Sequence, residues 1–460
     1  MSKRNFWKDG LYWAFRSYLQ FFHDKVYYRR IYRVGADNIP PVGTPLLVAS
    51  NHQNSINDPL ALELHMGPRV VSIFARADVF SRPLIAAFLR SLYILPSYRL
   101  KQDGEDSLSK NFDAFAEANA RLLNGNTVAI FPEATNQTCR WLGDFSLGYL
   151  RMAFGAAEAS GFEKDIQILP VANHYDDYFC MQSDMALIFG TPISIKPYYE
   201  LYKTKPRTAQ RQVNALVRKQ IEDMMLNITD LEHYDAIDYL RTTYGVDFAA
   251  NMGFNPLRLP EKLEADKMFV KALEKAGETQ MDVLQRAYSE ALELRQQTRD
   301  MKIRDWVIRR DAQWTRIGIE VFSLLVLLPL YVLSLIPNII VLTAPCGLVK
   351  RFRDMGGTFV MFQGGIQFIV SSLVSAPISY AAVFVAELLL VNWWVALIHL
   401  LSQAWLLVFA WHYSKQVVKT RSEIRWKKLK HTPQGQALAD KRSKLWQTLD
   451  MLMRSVQAKN

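Results

Sequence analysis

An apolar run, Leu46 to Ala49, leads straight into Asn51 and His52 in the stretch LLVASNHQNSINDPLAL, and Asp58 follows six residues after the histidine. An imidazole titrates near neutrality, so it can take a proton from a hydroxyl at working pH; a carboxylate beside it can fix its tautomer. Spacing decides whether the two can meet. Six residues of continuous α-helix turn through about 600°, leaving the side chains on nearly opposite faces. The chain between them must therefore bend. Pro59 suits the first position of a helix, which places Asp58 at its N-cap. Taken alone, the pattern reads as a capped helix next to an incidental strand-end histidine.

Three further stretches end apolar runs in the same way. LYILPSYRL places Arg99 just after a strand-like segment, VAIFPEATNQ places Glu133 after Phe131 and Pro132, and ILPVANHY places Pro170 at the end of another run. If these runs are parallel strands, their ends share one rim. A base, its orienting carboxylate, a cation for an anionic substrate and a second carboxylate then converge.

The elements needed to position them can be read along the chain. TPLLVAS, RVVSIFA, NTVAIF, IQILPVA and MALIFG are short, apolar, β-rich runs bounded by Gly, Pro, Asn or Asp, with helical patterns such as SLSKNFDAFAEANARLLNG between them. Alternation of this kind predicts an α/β domain with a largely parallel central sheet and flanking helices, over residues 34–204. Ligands of such sheets sit at the carboxyl ends of the strands. Residues 1–33 are aromatic and basic and predict an interfacial amphipathic helix. Residues 205–316, rich in Glu, Lys, Arg, Leu and Ala at helical spacing, predict a charged helical insertion or lid.

Charges thin out from Ile317 to Val349 and from Phe359 to His412. A membrane span needs about 20 apolar residues. The first block is too short for two comfortable spans and contains Pro329, Pro337 and Pro345. It is expected to form a re-entrant or short membrane hairpin over 317–349, followed by a cytoplasmic loop, 350–358. The second block fits two transmembrane helices, 359–413, turning at Asn392, Trp393 and Trp394. His399 falls within the bilayer, where a bundle-facing, hydrogen-bonded role is expected. A basic cytoplasmic tail, 414–460, completes the chain. Lys and Arg on the flanks place the soluble domain on the cytoplasmic side.

Net charge is +11 and the sequence contains three cysteines, Cys139, Cys180 and Cys346. The charge points to an anionic partner; the cysteines have neither disulfide-framework nor metal-ligand spacing. The basic residues cluster at membrane flanks and form no nucleic-acid-binding motif, so membrane lipids rather than nucleic acid are the expected partner.

These residues resemble the motifs of the phospholipid/glycerol acyltransferase family, which includes glycerol-3-phosphate and lysophosphatidate acyltransferases. The commonest signature of that family is Asn-His, four residues, then Asp; NHQNSIND has five, as in a longer-spaced variant. A second motif ends in an arginine, matched by Arg99 in YILPSYR. A third, Phe-Pro-Glu-Gly, is matched by Phe131, Pro132 and Glu133, with Ala134 in place of the glycine. A fourth is an apolar run ending in proline, matched by Pro170. The resemblance covers roughly residues 30 to 200.

The resemblance implies transfer of a fatty acyl group from acyl-CoA or acyl-carrier protein to glycerol 3-phosphate or a lysophospholipid, at the inner (cytoplasmic) membrane. His52 would be the general base and Asp58 its orienting carboxylate, as in a Ser-His-Asp triad with the substrate hydroxyl in place of serine. Arg99 would bind the acceptor's phosphate, and Glu133 would position the acceptor or the arginine. No cofactor or metal is expected, because a thioester is already activated. Two other readings stay open: an amino-acid-derived lysolipid as acceptor, and an inactive membrane-anchored lipid-binding or scaffold protein.

Overall fold

The computed structural model describes residues 6–98, 107–133, 139–355 and 363–457. The apolar runs become strands. In chain order they are β1 (Tyr28–Val34), β2 (Leu46–Ser50), β3 (Val71–Arg76), β4 (Ile94–Ser97), β5 (Thr127–Ile130), β6 (Gln167–Tyr175), β7 (Ser183–Phe189) and β8 (Ile193–Ser194). Every residue of β2 is buried, as a strand covered on both faces requires. The sheet runs β1-β7-β6-β2-β5-β3-β4, with β8 paired to β6. Its central pairs, β6 to β2, β2 to β5, β5 to β3 and β3 to β4, are all parallel. Only β7 and β8 run antiparallel to β6. From β2 the chain builds outward on one side, then crosses at β6 to the other. The end of β2 is thus the topological switch point, where a crevice opens between diverging connections.

Helices bury apolar faces on this sheet. Leu150, Ala153, Phe154 and Ala157 of Gly148–Ala159 join the core. So do Val213, Val217 and Ile221 of Pro206–Met224, spaced by four to keep one face inward. The latter helix, expected in the insertion, therefore belongs to the sheet domain. Two units result: residues 1–226 with 345–372, and residues 227–344 with 373–460.

The N-terminal segment differs from expectation. Helix α1 covers Phe6–Phe21 only; one π-helical turn, Phe22–Tyr27, follows, and the aromatic-basic run then continues as β1. The β-branched and aromatic residues of YRRIYRV suit an edge strand. In α1, Tyr12 and Arg16 are buried, whereas Leu11, Tyr18 and Phe21 are exposed. Arg16 donates to the carbonyls of Glu63, Leu64 and Gly67, satisfying the last turn of helix α2 (Asn57–His65).

In the second unit, the long helix Leu259–Asp300 has non-helical backbone at Gln280 and packs against Pro433–Gln457. Leu438, Leu445, Leu449 and Leu452 form a buried stripe on the latter. Arg442 makes two bonds to Asp305, and the Tyr244 hydroxyl donates to Asp450. Within the expected basic tail, 414–460, Pro433–Gln457 is thus a docked amphipathic helix.

Among the described residues, three helices are long and apolar enough to cross a membrane: Trp314–Arg351, Gln363–Leu390 and Trp393–Leu429. The hairpin expected at 317–349 is replaced by one continuous helix, Trp314–Met355. Each proline removes one N–H bond without necessarily ending a helix in apolar surroundings. Around Pro337, the Ser334 hydroxyl donates to the carbonyl of Leu330 and the Asn338 amide to that of Ser334. Asn338 also bonds Gln403 and Tyr380, a polar tie between apolar helices. The turn after Gln363–Leu390 falls at Asn392, whose side chain caps the next helix by accepting from the Val395 N–H, and His399 is bonded to Glu387.

Candidate active site

The site grows from the end of β2. Asn51 clamps the strand to β6 by donating to the Asn173 carbonyl (3.0 Å) and accepting from the Asn173 N–H (2.7 Å). His52 follows. Its backbone N–H donates to Glu133 Oε1 at 2.7 Å, and its ring Nδ1 lies 2.9 Å from Asp58 Oδ2. The ring stacks on Phe131, with centroids 4.4 Å apart and planes 25° apart. Two side chains thus set the ring's position and tilt, and Nε2 is the nitrogen left for a reacting group.

Asp58 is fully buried. Its Oδ2 accepts from the N–H groups of Gln53 (2.8 Å) and Asn54 (2.7 Å) as well as from His52. Its Oδ1 accepts from the Tyr175 hydroxyl at 2.8 Å. The expected N-cap role is corrected here: α2 begins at Asn57, and its N-cap, Ile56, makes no side-chain cap bond. The carboxylate instead reaches back to two earlier N–H groups, folding the His-to-Asp segment into a loop around itself. Ser55 takes φ of 45°, a left-handed conformation costing a non-glycine residue about 1–2 kcal/mol. The turn Asn57 N–H to Asn54 carbonyl closes the loop. This bend lets five intervening residues bring His52 and Asp58 together.

Glu133 is buried at the end of β5. Its Oε1 accepts from His52 N–H, and its Oε2 from Gly143 N–H at 2.8 Å. Burial pushes its carboxyl up to about 7, against the opposing pull of those two N–H groups and His52. Glu133 thereby ties the loop after β5 to the backbone of His52. Pro132 is buried, and its carbonyl accepts from Ser146 N–H. Arg99 and Ala134 lie outside the described residues.

Pro170 is not at a strand end. It pairs with Ala49 inside β6, which continues to Tyr175. The apolar run stops at Ala172, but sheet pairing carries the strand on through polar residues. The residues of β6 that reach the loop are Asn173 and Tyr175, which sequence reading missed; the polar end of ILPVANHY was their only signal. Tyr178 was missed too; its hydroxyl donates to Gln53 Oε1 at 2.7 Å. Also missed was the brace formed by Gly364 and Gly365, read as membrane-helix residues. A Cβ on Gly364 would lie 2.6 Å from both Asn54 Oδ1 and the Tyr178 carbonyl, and one on Gly365 2.7 Å from Ile56. Only glycine admits so close an approach to the loop.

The arrangement engages one nitrogen of the imidazole, and among the described residues the other makes no hydrogen bond, so it can accept a proton. Residues 30–174 match the family model described as Acyltransferase. This stretch is therefore an acyltransferase-family segment, and it contains the His52–Asp58 loop and Glu133. No curated protein matches the chain. Among solved structures, the crystal structure of the 1-acyl-sn-glycerophosphate (LPA) acyltransferase, PlsC, from Thermotoga maritima is similar, at 16% identity and TM-score 0.34, over 48% of this chain and 83% of that one.

Proposed function

We propose that this chain, an acyltransferase by its segment 30–174, is a membrane-bound enzyme that moves a fatty acyl group from an acyl thioester to a hydroxyl of glycerol 3-phosphate or a lysophospholipid. The observation that carries the reading is the His52 ring, fixed at Nδ1 by a carboxylate that itself accepts three other hydrogen bonds. As the acceptor hydroxyl attacks the thioester carbonyl, its proton passes to Nε2, and Asp58 stabilises the imidazolium. The C–S bond breaks, and the thiolate of coenzyme A or acyl-carrier protein takes the proton back. Arg99 holds the acceptor's phosphate. Glu133, bonded to the His52 N–H, acts as a positioning residue.

Membrane attachment suits this chemistry, since the product is a lipid. The helix Pro83–Ser91 exposes Leu84, Ile85 and Phe88, flanked by exposed Arg82 and Arg90, and Phe88 meets Phe15 of α1 edge-to-face. An exposed apolar patch rimmed by cations fits an anionic lipid surface. We place the site at the cytoplasmic face of the inner membrane, where acyl thioesters are made.

The test is a panel: purified full-length protein, labelled acyl-CoA or acyl-carrier protein, and glycerol 3-phosphate, lysophosphatidate or an amino-acid-derived lysolipid, with products identified by mass spectrometry. Acylation of a phosphate-bearing acceptor is expected, and Arg99→Ala should raise that acceptor's KM more than it lowers kcat. Acylation of the amino-acid lysolipid alone would replace the acceptor. No product from any acceptor would favour a lipid-binding scaffold.

A further inference from the structure

His23, Asp24 and His65 converge in the first unit, away from the His52–Asp58 loop. His23 Nδ1 is 2.8 Å from Asp24 Oδ1, His65 Nε2 is 3.3 Å from the same oxygen, and the two ring nitrogens are 3.5 Å apart. Both histidines are buried, and Asp24 is about a quarter exposed. Four ligands on a tetrahedron at about 2.0–2.1 Å from a zinc ion are separated from one another by about 3.4 Å. The three observed separations fall around that value.

The backbone explains how neighbours in sequence come to share a focus. Successive residues of an α-helix point about 100° apart. His23 and Asp24 lie in the π-helical turn Phe22–Tyr27, and both reach His65. Single π-helical turns recur at functional sites. The third member, His65, is the last residue of α2, 42 positions from His23.

We propose that His23, Asp24 and His65 bind a divalent transition-metal ion of the zinc class, which clasps the segment after α1 to the end of α2. Two imidazoles and one carboxylate are a borderline donor set suited to such ions. The exposed edge of Asp24 leaves room for water as a fourth ligand. The ion does not touch the reacting groups. Asp58 lies in the first turn of α2 and His65 at its end, so the clasp steadies the helix that carries the orienting carboxylate.

The test uses untagged, full-length protein in detergent. After chelator treatment it is dialysed against zinc, or separately cobalt(II), and bound metal is measured by mass spectrometry of the element. One ion per chain is expected, with the visible absorption of four-coordinate cobalt and a Tm raised by zinc. His65→Gln and Asp24→Asn should lose the ion. His52→Ala should keep it, which separates this cluster from the His52–Asp58 pair. Wild-type protein that binds no stoichiometric metal overturns the proposal, whatever the variants do. So does a folded His65→Gln variant that binds as wild type does, or loss of the ion in His52→Ala.

Discussion

Asp58 and His65 lie at opposite ends of the nine-residue helix α2, and each belongs to a different histidine–carboxylate cluster. Around Asp58 the donors are plentiful. Two backbone N–H groups, a tyrosine hydroxyl and one imidazole N–H all point at a single carboxylate, and among the described residues the second ring nitrogen makes no hydrogen bond. Around Asp24 two ring nitrogens and a carboxylate oxygen face one another. A carboxylate held by four donors orients a base for proton transfer; two ring nitrogens and a carboxylate oxygen at one focus, each able to offer a lone pair once its proton has left, suit a cation. The same residue types thus support different chemistry according to what surrounds the carboxylate.

The sharpest way to break this comparison is Asp58→Asn. The neutral amide keeps the shape of the carboxylate but no longer stabilises the imidazolium that forms when His52 takes the proton. Turnover should fall by about 10²–10⁴-fold, while metal content stays at the wild-type level. A variant with near-wild-type turnover would remove Asp58 from the mechanism. Tyr175→Phe is milder. It leaves Asp58 Oδ1 buried without that donor, which should lower stability by about 1–3 kcal/mol in urea denaturation and reduce kcat less than Asp58→Asn does.

Gly364→Ala tests the brace on the loop. The new Cβ meets a backbone carbonyl that cannot move aside freely, so about 1–3 kcal/mol of overpacking is expected, with lower kcat. Gly10→Ala, where nothing lies within 4 Å, is the control and should lose nothing. Equal behaviour of the two variants would show that the loop does not depend on its glycine support.

The smallest effect is the pH dependence of stability. The Glu133 carboxyl is pushed up to about 7 in the folded chain, from an ordinary value of 4.5. Between those values the folded state binds more protons than the unfolded state, so stability falls as pH rises through this window. Glu63, raised to about 7 by burial, contributes a slope of the same sign. Glu133→Gln should therefore flatten the decline from pH 5 to 7 only in part, as read from Tm at each pH. An unaltered slope would show that Glu133 does not titrate there.

The sheet was legible in the sequence because its strands are uninterrupted apolar runs: β2, β3, β5, β6 and β7 coincide with five runs read from residue order alone. β1 was hidden by aromatic and basic residues that fit an interfacial helix equally well. The single helix Trp314–Met355 was hidden by its three prolines, which suggest breaks, although the helix runs through all of them. His52 and Asp58 were legible only together with the other strand-end stretches and the family resemblance they support, and the Tyr175 donor on Asp58 was not legible, since it is 117 positions away. Distance hid the His23–Asp24–His65 cluster in the same way: no local ligand spacing announces it.

The most direct test is the turnover of His52→Ala. Purified wild-type and variant proteins are mixed with saturating labelled acyl donor and the acceptor chosen from the panel, and product is counted over time. Loss of the base should cost at least about 10²-fold in rate, with circular dichroism and metal content unaltered. A folded variant that retains more than about a tenth of wild-type turnover, well short of that loss, would contradict the assignment of His52 as the proton acceptor.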